Sequence, residues 1–317
     1  MELLKENKIE PVKNKIYKNL LAEVADLYEM PMGAYNIRGD GEGIDRNTTA
    51  NIDIVTKKDN PGIDIIIKPG TKNESVHIPV VVSKSGIEDM VYNDFYIGEN
   101  ADVTIIAGCA IHNTGEKDSG HDGIHRFFIE KNAKVRYVEK HFGEGKGSGR
   151  RTLNPTTIIN MKEGSYMEMD SFQIQGVDST KRDTKAVLED RAILLINEKI
   201  MTEEEQYAET NFDVELNGEE SSTHVVSRSV AKDSSKQVFL SKVDGNNKCN
   251  GHTECDAIIM GNGVVTAIPE VTSNHIDASL IHEAAIGKIA GEQLTKLMTL
   301  GLTEEEAEAE IIGGFMR

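Results

Sequence analysis

Tryptophan is absent from this 317-residue chain and aromatic residues make up only 5% of it, so little is available for stacking on bases or sugar rings. Cysteine occurs three times, too few and too odd a number for a disulfide framework, and a reduced, cytoplasmic setting is expected. Basic residues are outnumbered: 35 Lys and Arg stand against 53 Asp and Glu, and the formal net charge of −18 repels phosphate backbones and argues against nucleic-acid binding. No apolar run approaches the roughly 18 residues of a membrane span, and no basic segment leading into an apolar stretch opens the chain. Neither membrane insertion nor secretion is expected.

Several enzyme signatures are also missing. The segment GEGKGSGRR (143–151) lacks the spacing of a phosphate-binding loop and reads as a flexible, locally basic loop. His282-Glu283 is not followed by the second histidine of a zinc protease motif, and no serine nucleophile elbow is present. A non-enzymatic role is expected.

What is present falls into three segments: 1–50, 51–278 and 279–317. In the first, Ile16, Leu20, Val24 and Leu27, widened by Leu21 and Tyr28, predict an amphipathic helix over 12–30 that docks on the main body. The glycine-rich GAYNIRGDGEGIDRN after it reads as a linker or long loop. The middle segment is a succession of short β-branched runs broken by Gly, Asn or Asp, with only 185–199 ambiguous, which excludes a doubly wound α/β fold. One unit recurs every 32 residues, as Ile97-Gly-Glu-Asn-Ala-Asp-Val103, Ile129-Glu-Lys-Asn-Ala-Lys-Val135 and Met161-Lys-Glu-Gly-Ser-Tyr-Met167. Strand–turn–strand repetition without helices predicts a stacked β-helix, with a β-sandwich as the alternative. At the end, Ile286, Ile289, Ala290, Leu294, Leu297 and Met298 share a helical face with Gly301 as a stop. Thr303 and Glu306 make a capping box for a second helix reaching about Ile312 and ending at Gly313-Gly314. The plain role for this helical pair is to cover the solenoid's end.

Two groups of residues could hold a metal. Cys109, His112, His121 and His125, with Asp118 and Asp122 nearby, offer mixed sulfur, nitrogen and oxygen donors, but their spacing matches no known metal motif and a polar loop is the favoured reading. Cys249, His252 and Cys255 have a CxxHxxC spacing, but in a strand the two cysteines share one face while His252, Glu254 and Asp256 point the other way. Cys255 then lies on the side of Ala257 and Ile259, where a lone cysteine is most often a small buried hydrophobe. His282 and Glu283 are expected in the first turn of the C-terminal helix, whose dipole keeps an imidazole neutral and favours a carboxylate.

From Cys255 to Gly314 the motifs CDAIIMG, IPE, HEAAIGKI, EQLTKLM, GLTEEEAEAEII and GGF closely resemble the C-terminal region of the SufB/SufD family, scaffold components of Suf iron–sulfur cluster assembly. The resemblance implies a right-handed parallel β-helix with helical ends, in the compact SufBD-like form of minimal systems. It implies a nascent, transient iron–sulfur cluster at Cys255 and Glu283, with His282 matching the neighbouring histidine of the family motif. It further implies that the C-terminal helices dock an ABC-type ATPase, SufC, and that the chain pairs as a homodimer or with a SufB/SufD-like paralogue. Family members receive sulfur at another cysteine, and Cys109 is the only one far enough upstream, though it matches no motif. A metal-free SufD-like adaptor is the alternative function. A β-helix enzyme acting on acidic polysaccharide is opposed by the negative charge.

Overall fold

The computed structural model describes residues 14–317. Helix α1 (Lys15–Ala25) and strands β1 (Ala34–Gly39), β2 (Glu42–Asn47), β3 (Ile52–Thr56) and β4 (Gly62–Ile67) come first. The long strands begin with β5 (Lys72–Val82), β6 (Glu88–Ile97), β7 (Asp102–His112), β8 (Ser119–Ile129) and β9 (Lys134–Glu144). The pair β10 (Arg151–Leu153) and β11 (Thr156–Met161) precedes β12 (Tyr166–Gln175), β13 (Ser179–Leu188), β14 (Ile193–Thr202) and β15 (Tyr207–Leu216). Then come β16 (Ser222–Ala231), β17 (Lys236–Gly245), β18 (Asn250–Ile259), β19 (Val264–Ser273) and β20 (Ser279–Gly287), followed by helices α2 (Gly291–Thr299) and α3 (Glu304–Phe315).

Successive strands alternate between two sheets. Sheet A runs β2-β1-β5-β7-β9-β12-β14-β16-β18-β20, and sheet B runs from β19 back to β3. Apart from β1–β2 and β3–β4, all pairings are parallel, giving a parallel β-solenoid of about eight turns. The β-helix expected from the repeat is therefore the fold, and the sandwich is excluded.

The repeated unit is the corner of one coil. Ile97 stacks on Ile129 and Ile129 on Met161. At the corner Asn100, Asn132 and Gly164 have φ of 58, 57 and 68°, a left-handed conformation that asparagine and glycine adopt at little penalty. Their N–H groups donate to the carbonyls of Lys131, Glu163 and Asp190 in the next coil, which fixes the stacking. The residue after each turn is small and buried: Ala101, Ala133, Ser165, Ala192, Ser221 and then Cys249. Cys249 is thus the sixth member of a stack that accommodates only small side chains, and its carbonyl accepts from Ser279 N at 2.9 Å. Beyond Met161 the coils shorten, so that Met161 pairs with Leu188 and Leu188 with Leu216.

Helix α1 starts at an Asn14 cap, whose side chain accepts from Ile16 N, and stops at Asp26 in the left-handed region. Residues 12 and 13 of the expected span lie outside the described residues. Leu20, Leu21 and Val24 pack on Ile37, Val81 and Ala110 over the outer face of sheet A. The approach is close: a Cβ at Gly108 would come within 2.3 Å of the Val24 carbonyl oxygen.

The stretch read as a linker is the β1–β2 hairpin, turned at Asp40-Gly41, whose φ of 48 and 83° suit the Asp-Gly pair that favours such turns. The C-terminal helix does not begin at His282, because β20 continues the solenoid to Gly287 and α2 starts only at Gly291. Pairing with β18 places Ile286 in a strand, and Ile289 and Ala290 fall in the connection before α2, so their helical spacing is not realised. The capping box does form, with Thr303 Oγ1 accepting from Glu306 N at 3.2 Å and Glu306 Oε2 accepting from Thr303 N at 2.8 Å. Helix α3 then runs through Gly313-Gly314 to Phe315. No residue of α2 is buried and Ala307 is the only buried one of α3, so the pair leaves the last coil uncovered. Ile268, Val271 and Ile281 stay about half exposed there. No helix among the described residues is long and apolar enough to cross a membrane.

Candidate functional site

The site lies at the uncovered end, where β18 is the last strand of sheet A with a neighbour on both sides and β20 is the edge. Alternation along β18 buries Gly251, Thr253, Cys255 and Ala257 and turns His252, Glu254 and Asp256 outward, as the strand pattern predicts. Parallel register sets Thr253 beside His282, Glu254 beside Glu283 and Cys255 beside Ala284. His282 therefore joins Cys255 on the interior face, and Glu283 lies one register position away on the outer face.

Burial, helped by the negative charges of Glu198 and Asp256, pushes the Cys255 thiol up to about 12, so it is held protonated. His282 Nδ1 lies 2.7 Å from Thr253 Oγ1, and Nε2 has no hydrogen-bond partner among the described residues. Burial, with the positive potential of His252, lowers the His282 pKa. The imidazole is thus kept neutral, as expected, but by desolvation in a strand and not by a helix dipole. A metal arriving beside Cys255 and His282 would meet a neutral imidazole and would have to displace the thiol proton, which soft-metal ligation does.

On the outer face, His224 of β16 stacks on His252 with ring centroids 4.8 Å apart and an interplanar angle of 8°. His224 Nε2 lies 2.8 Å from Glu254 Oε1, and His252 Nε2 lies 3.6 Å from Glu254 Oε1 and 3.8 Å from Glu283 Oε1. Among the described residues, His224, His252 and Glu254 are the one set of three whose possible ligand atoms lie within 4.8 Å of one another. His224 was missed in the sequence. The signal that reveals it is a spacing from His252 equal to one shortened coil, which aligns the two rings.

A buried polar seam leads away from Cys255 along the interior. Ser227, beside Cys255 in the sheet, donates to Glu198 Oε2 at 2.8 Å, and Thr210 donates to Oε1 at 2.9 Å. Arg182 lies between Glu198, at 3.6 Å, and Glu139, to which it donates directly, and its Nη2 is 3.1 Å from His141 Nδ1. Tyr137 donates to Glu139 at 2.9 Å and so accepts from His125 Nδ1 at 2.8 Å, while Asn93 faces the other ring nitrogen. These contacts fix His125 as a neutral imidazole. Burial lowers His125 to about 4 and His141 to about 3, against the pull of Glu139. The Arg182 charge and its hydrogen bond hold Glu139 well below the usual carboxylate range despite burial.

The sign for stability follows from proton counting. Between about pH 6.5 and pH 3 the unfolded chain binds protons at these two histidines that the folded chain does not, so stability falls as pH drops through that window. Thermal melts should show the midpoint falling steeply from pH 6.5 to 4. His125→Asn, which removes one such titration, should flatten the slope, and an unchanged slope would show that the seam does not govern acid sensitivity.

The upstream candidates are divided by the coil. Cys109, His121 and His125 line one interior cavity of about 20 Å³ together with Glu139 and His141. That volume is about one water. His121 Nδ1 is engaged with Asp89 at 3.1 Å, and burial holds the Cys109 thiol protonated. His112 points elsewhere and pairs with Glu144 at 2.6 Å. Asp118 accepts from Arg150 N just before β8, and Asp122 within β8 accepts from Asn154 N at the break between β10 and β11.

A family model described as "SUF system FeS cluster assembly, SufBD core domain" matches residues 88–315. The chain is 31% identical over 253 residues to an iron–sulfur cluster assembly SufBD family protein of Archaeoglobus fulgidus, covering 78% of this chain and 66% of that protein. It is 28% identical over 255 residues to a SufBD family protein of Methanocaldococcus jannaschii, covering 80% of this chain and 79% of the relative. A SufBD family protein of Pyrococcus horikoshii is 28% identical over 232 residues, 73% of this chain and 69% of the relative. The chain thus spans about two thirds of the length of the Archaeoglobus relative.

Proposed function

Because this chain belongs to the SufBD family of iron–sulfur cluster assembly proteins, we propose that it is the scaffold on which a nascent cluster is built at Cys255, with Glu283 and His282 as further ligands. The observation that carries this reading is the position of Cys255, one strand in from the unpaired edge β20 that bears both partners. A thiolate is a soft donor suited to iron–sulfur chemistry, while a carboxylate is hard and readily exchanged, which suits a cluster that is to be passed on. The cluster is cargo, and the protein is not itself an enzyme.

Within one chain Cys255 and His282 share the interior face while Glu283 lies on the outer one, so a single chain offers fewer than the four ligands of an ordinary cluster. The half-exposed Ile268, Val271 and Ile281 and the open edges of β19 and β20 suit a second chain packing there as a homodimer, or a SufB/SufD-like paralogue. Such packing would let the edge-strand Glu283 of one chain approach the Cys255 of the other, which one chain alone does not do. ATP hydrolysis falls to a SufC-type ABC ATPase docked on α2 and α3, with the assembly working in the cytoplasm, where its three free cysteines stay reduced.

Anaerobic reconstitution with iron and sulfide in the presence of that ATPase tests the reading. Wild-type protein and Cys249→Ser, altered at a corner that already tolerates serine at Ser165 and Ser221, should retain iron and sulfide alike, whereas Cys255→Ser should lose most of both. Equal retention by Cys255→Ser would place the cluster on other ligands, and retention of neither iron nor sulfide by wild type would leave the metal-free adaptor as the function, the alternative favoured by the deep burial of that thiol.

A further inference from the structure

We propose that His224, His252 and Glu254 form a mononuclear site for a divalent first-row transition ion on the outer face of sheet A, with Glu283 in reach as a fourth ligand. The site is separate from Cys255, which points to the other side of the same sheet. Iron(II) as its physiological occupant rests on the function proposed above; binding of the ion does not.

The geometry is that of a ligand set awaiting an ion. Ligand atoms held 2.0–2.2 Å from a tetrahedral centre lie about 3.3–3.6 Å from one another. The separations of 2.8, 3.6 and 3.8 Å among His224 Nε2, Glu254 Oε1, His252 Nε2 and Glu283 Oε1 bracket that range. All four side chains come from consecutive strands β16, β18 and β20, whose parallel register fixes their relative positions without a flexible loop.

His252 supplies an independent sign. Its Nε2 is shielded from water yet makes no hydrogen bond among the described residues, an arrangement that native proteins rarely leave unexplained. A metal ion between that nitrogen and the two carboxylates gives it a partner. The flanking ring of His224 stacks parallel on His252 at 4.8 Å, which holds the two rings side by side on the same face of the sheet. The partial exposure of the His224 and Glu254 side chains, 42% and 26%, leaves a path for the ion to enter from solvent.

The donor chemistry selects the ion. Two imidazoles and one carboxylate with open positions suit iron(II) and its neighbours, and the absence of a thiolate makes the set unsuitable for a cluster. A coordination position left to Glu283 ties the site to the edge strand where the cluster is proposed. An ion bound here is held by the strand that carries Cys255, on the opposite face of the sheet, which suits a loading position for iron near the cluster proposed above.

Anaerobic titration of the full-length protein with cobalt(II), followed by its visible ligand-field absorption, reads the site directly. One equivalent per chain should bind, without a sulfur-to-cobalt charge-transfer band, and iron(II) should compete for it. His224→Ala, His252→Ala and the isosteric Glu254→Gln should each weaken binding at least about tenfold, the loss that even outer-shell partners produce, with unchanged far-UV circular dichroism. Cys255→Ser should bind cobalt(II) as wild type does, even if cluster assembly fails. Undiminished binding in the His224→Ala/His252→Ala double variant, or loss of binding in Cys255→Ser with a charge-transfer band in wild type, would overturn the site. A failure of the cluster reading alone would leave the cobalt titration unchanged.

Discussion

Replacing Arg182 by methionine should destabilise the solenoid by about 3–5 kcal/mol, the usual consequence of removing one partner from a buried ion pair. Arg182 is 2% exposed and, among the described residues, is the cation paired with both Glu139 and Glu198, which are 2% and 1% exposed. Without it, Glu139 keeps only Tyr137 as a donor and two neutral histidines as neighbours, so its charge is left uncompensated in the interior. Urea unfolding followed by circular dichroism should show a correspondingly lower midpoint. Arg182→Lys, which keeps the charge but not the forked donors, should recover part of the loss. The double variant Arg182→Met/Glu139→Gln should be more stable than Arg182→Met alone, because the orphaned charge has gone. Equal midpoints in both would show that the seam contributes packing and not electrostatics.

Deleting residues 288–317 should abolish co-purification with the ATPase and leave the solenoid folded. The expectation rests on how little α2 and α3 give to the core: Ala307 is their only buried residue, and Met298 and Leu300 are left exposed at 43% and 77%. Helices with so small a share in the fold are free to use their apolar groups on a partner. The cut falls after Gly287 because β20 pairs with β18 along its whole length, and an earlier truncation would damage the coil that carries His282 and Glu283. Pull-down with the tagged ATPase and the circular dichroism spectrum read the two effects separately. Full binding by the shortened chain would place the docking surface elsewhere.

Much of the fold was legible because a solenoid writes its geometry into the chain at a fixed interval. Ile97, Ile129 and Met161 stack as their spacing predicts, and the asparagines of the repeat occupy the left-handed corner. The interval then changes after Met161, where the coils lose the loops carried by residues 113–118 and 145–150, and a search at the longer period does not register His224 against His252. The hairpin at Asp40-Gly41 was obscured by the glycines and charged residues around it, although that dipeptide is itself a turn signal. His282 and Glu283 were assigned to a helix because Ile286, Ile289 and Ala290 have helical spacing. A neighbouring strand 29 residues upstream decides otherwise, and local periodicity does not report it. The alternation around Cys255 was read correctly, and it separates Cys255 from Glu283 across the sheet. The interior seam has no sequence motif, since its members lie 41 and 43 residues apart and meet only when coils stack.

The claim that matters most is that iron is held through the Cys255 sulfur at the open end of the solenoid. Iron K-edge X-ray absorption on the anaerobically reconstituted complex with its ATPase measures that bond. The account predicts an iron–sulfur shell in wild type and in Cys249→Ser that is largely lost in Cys255→Ser. An undiminished iron–sulfur shell in Cys255→Ser would contradict it.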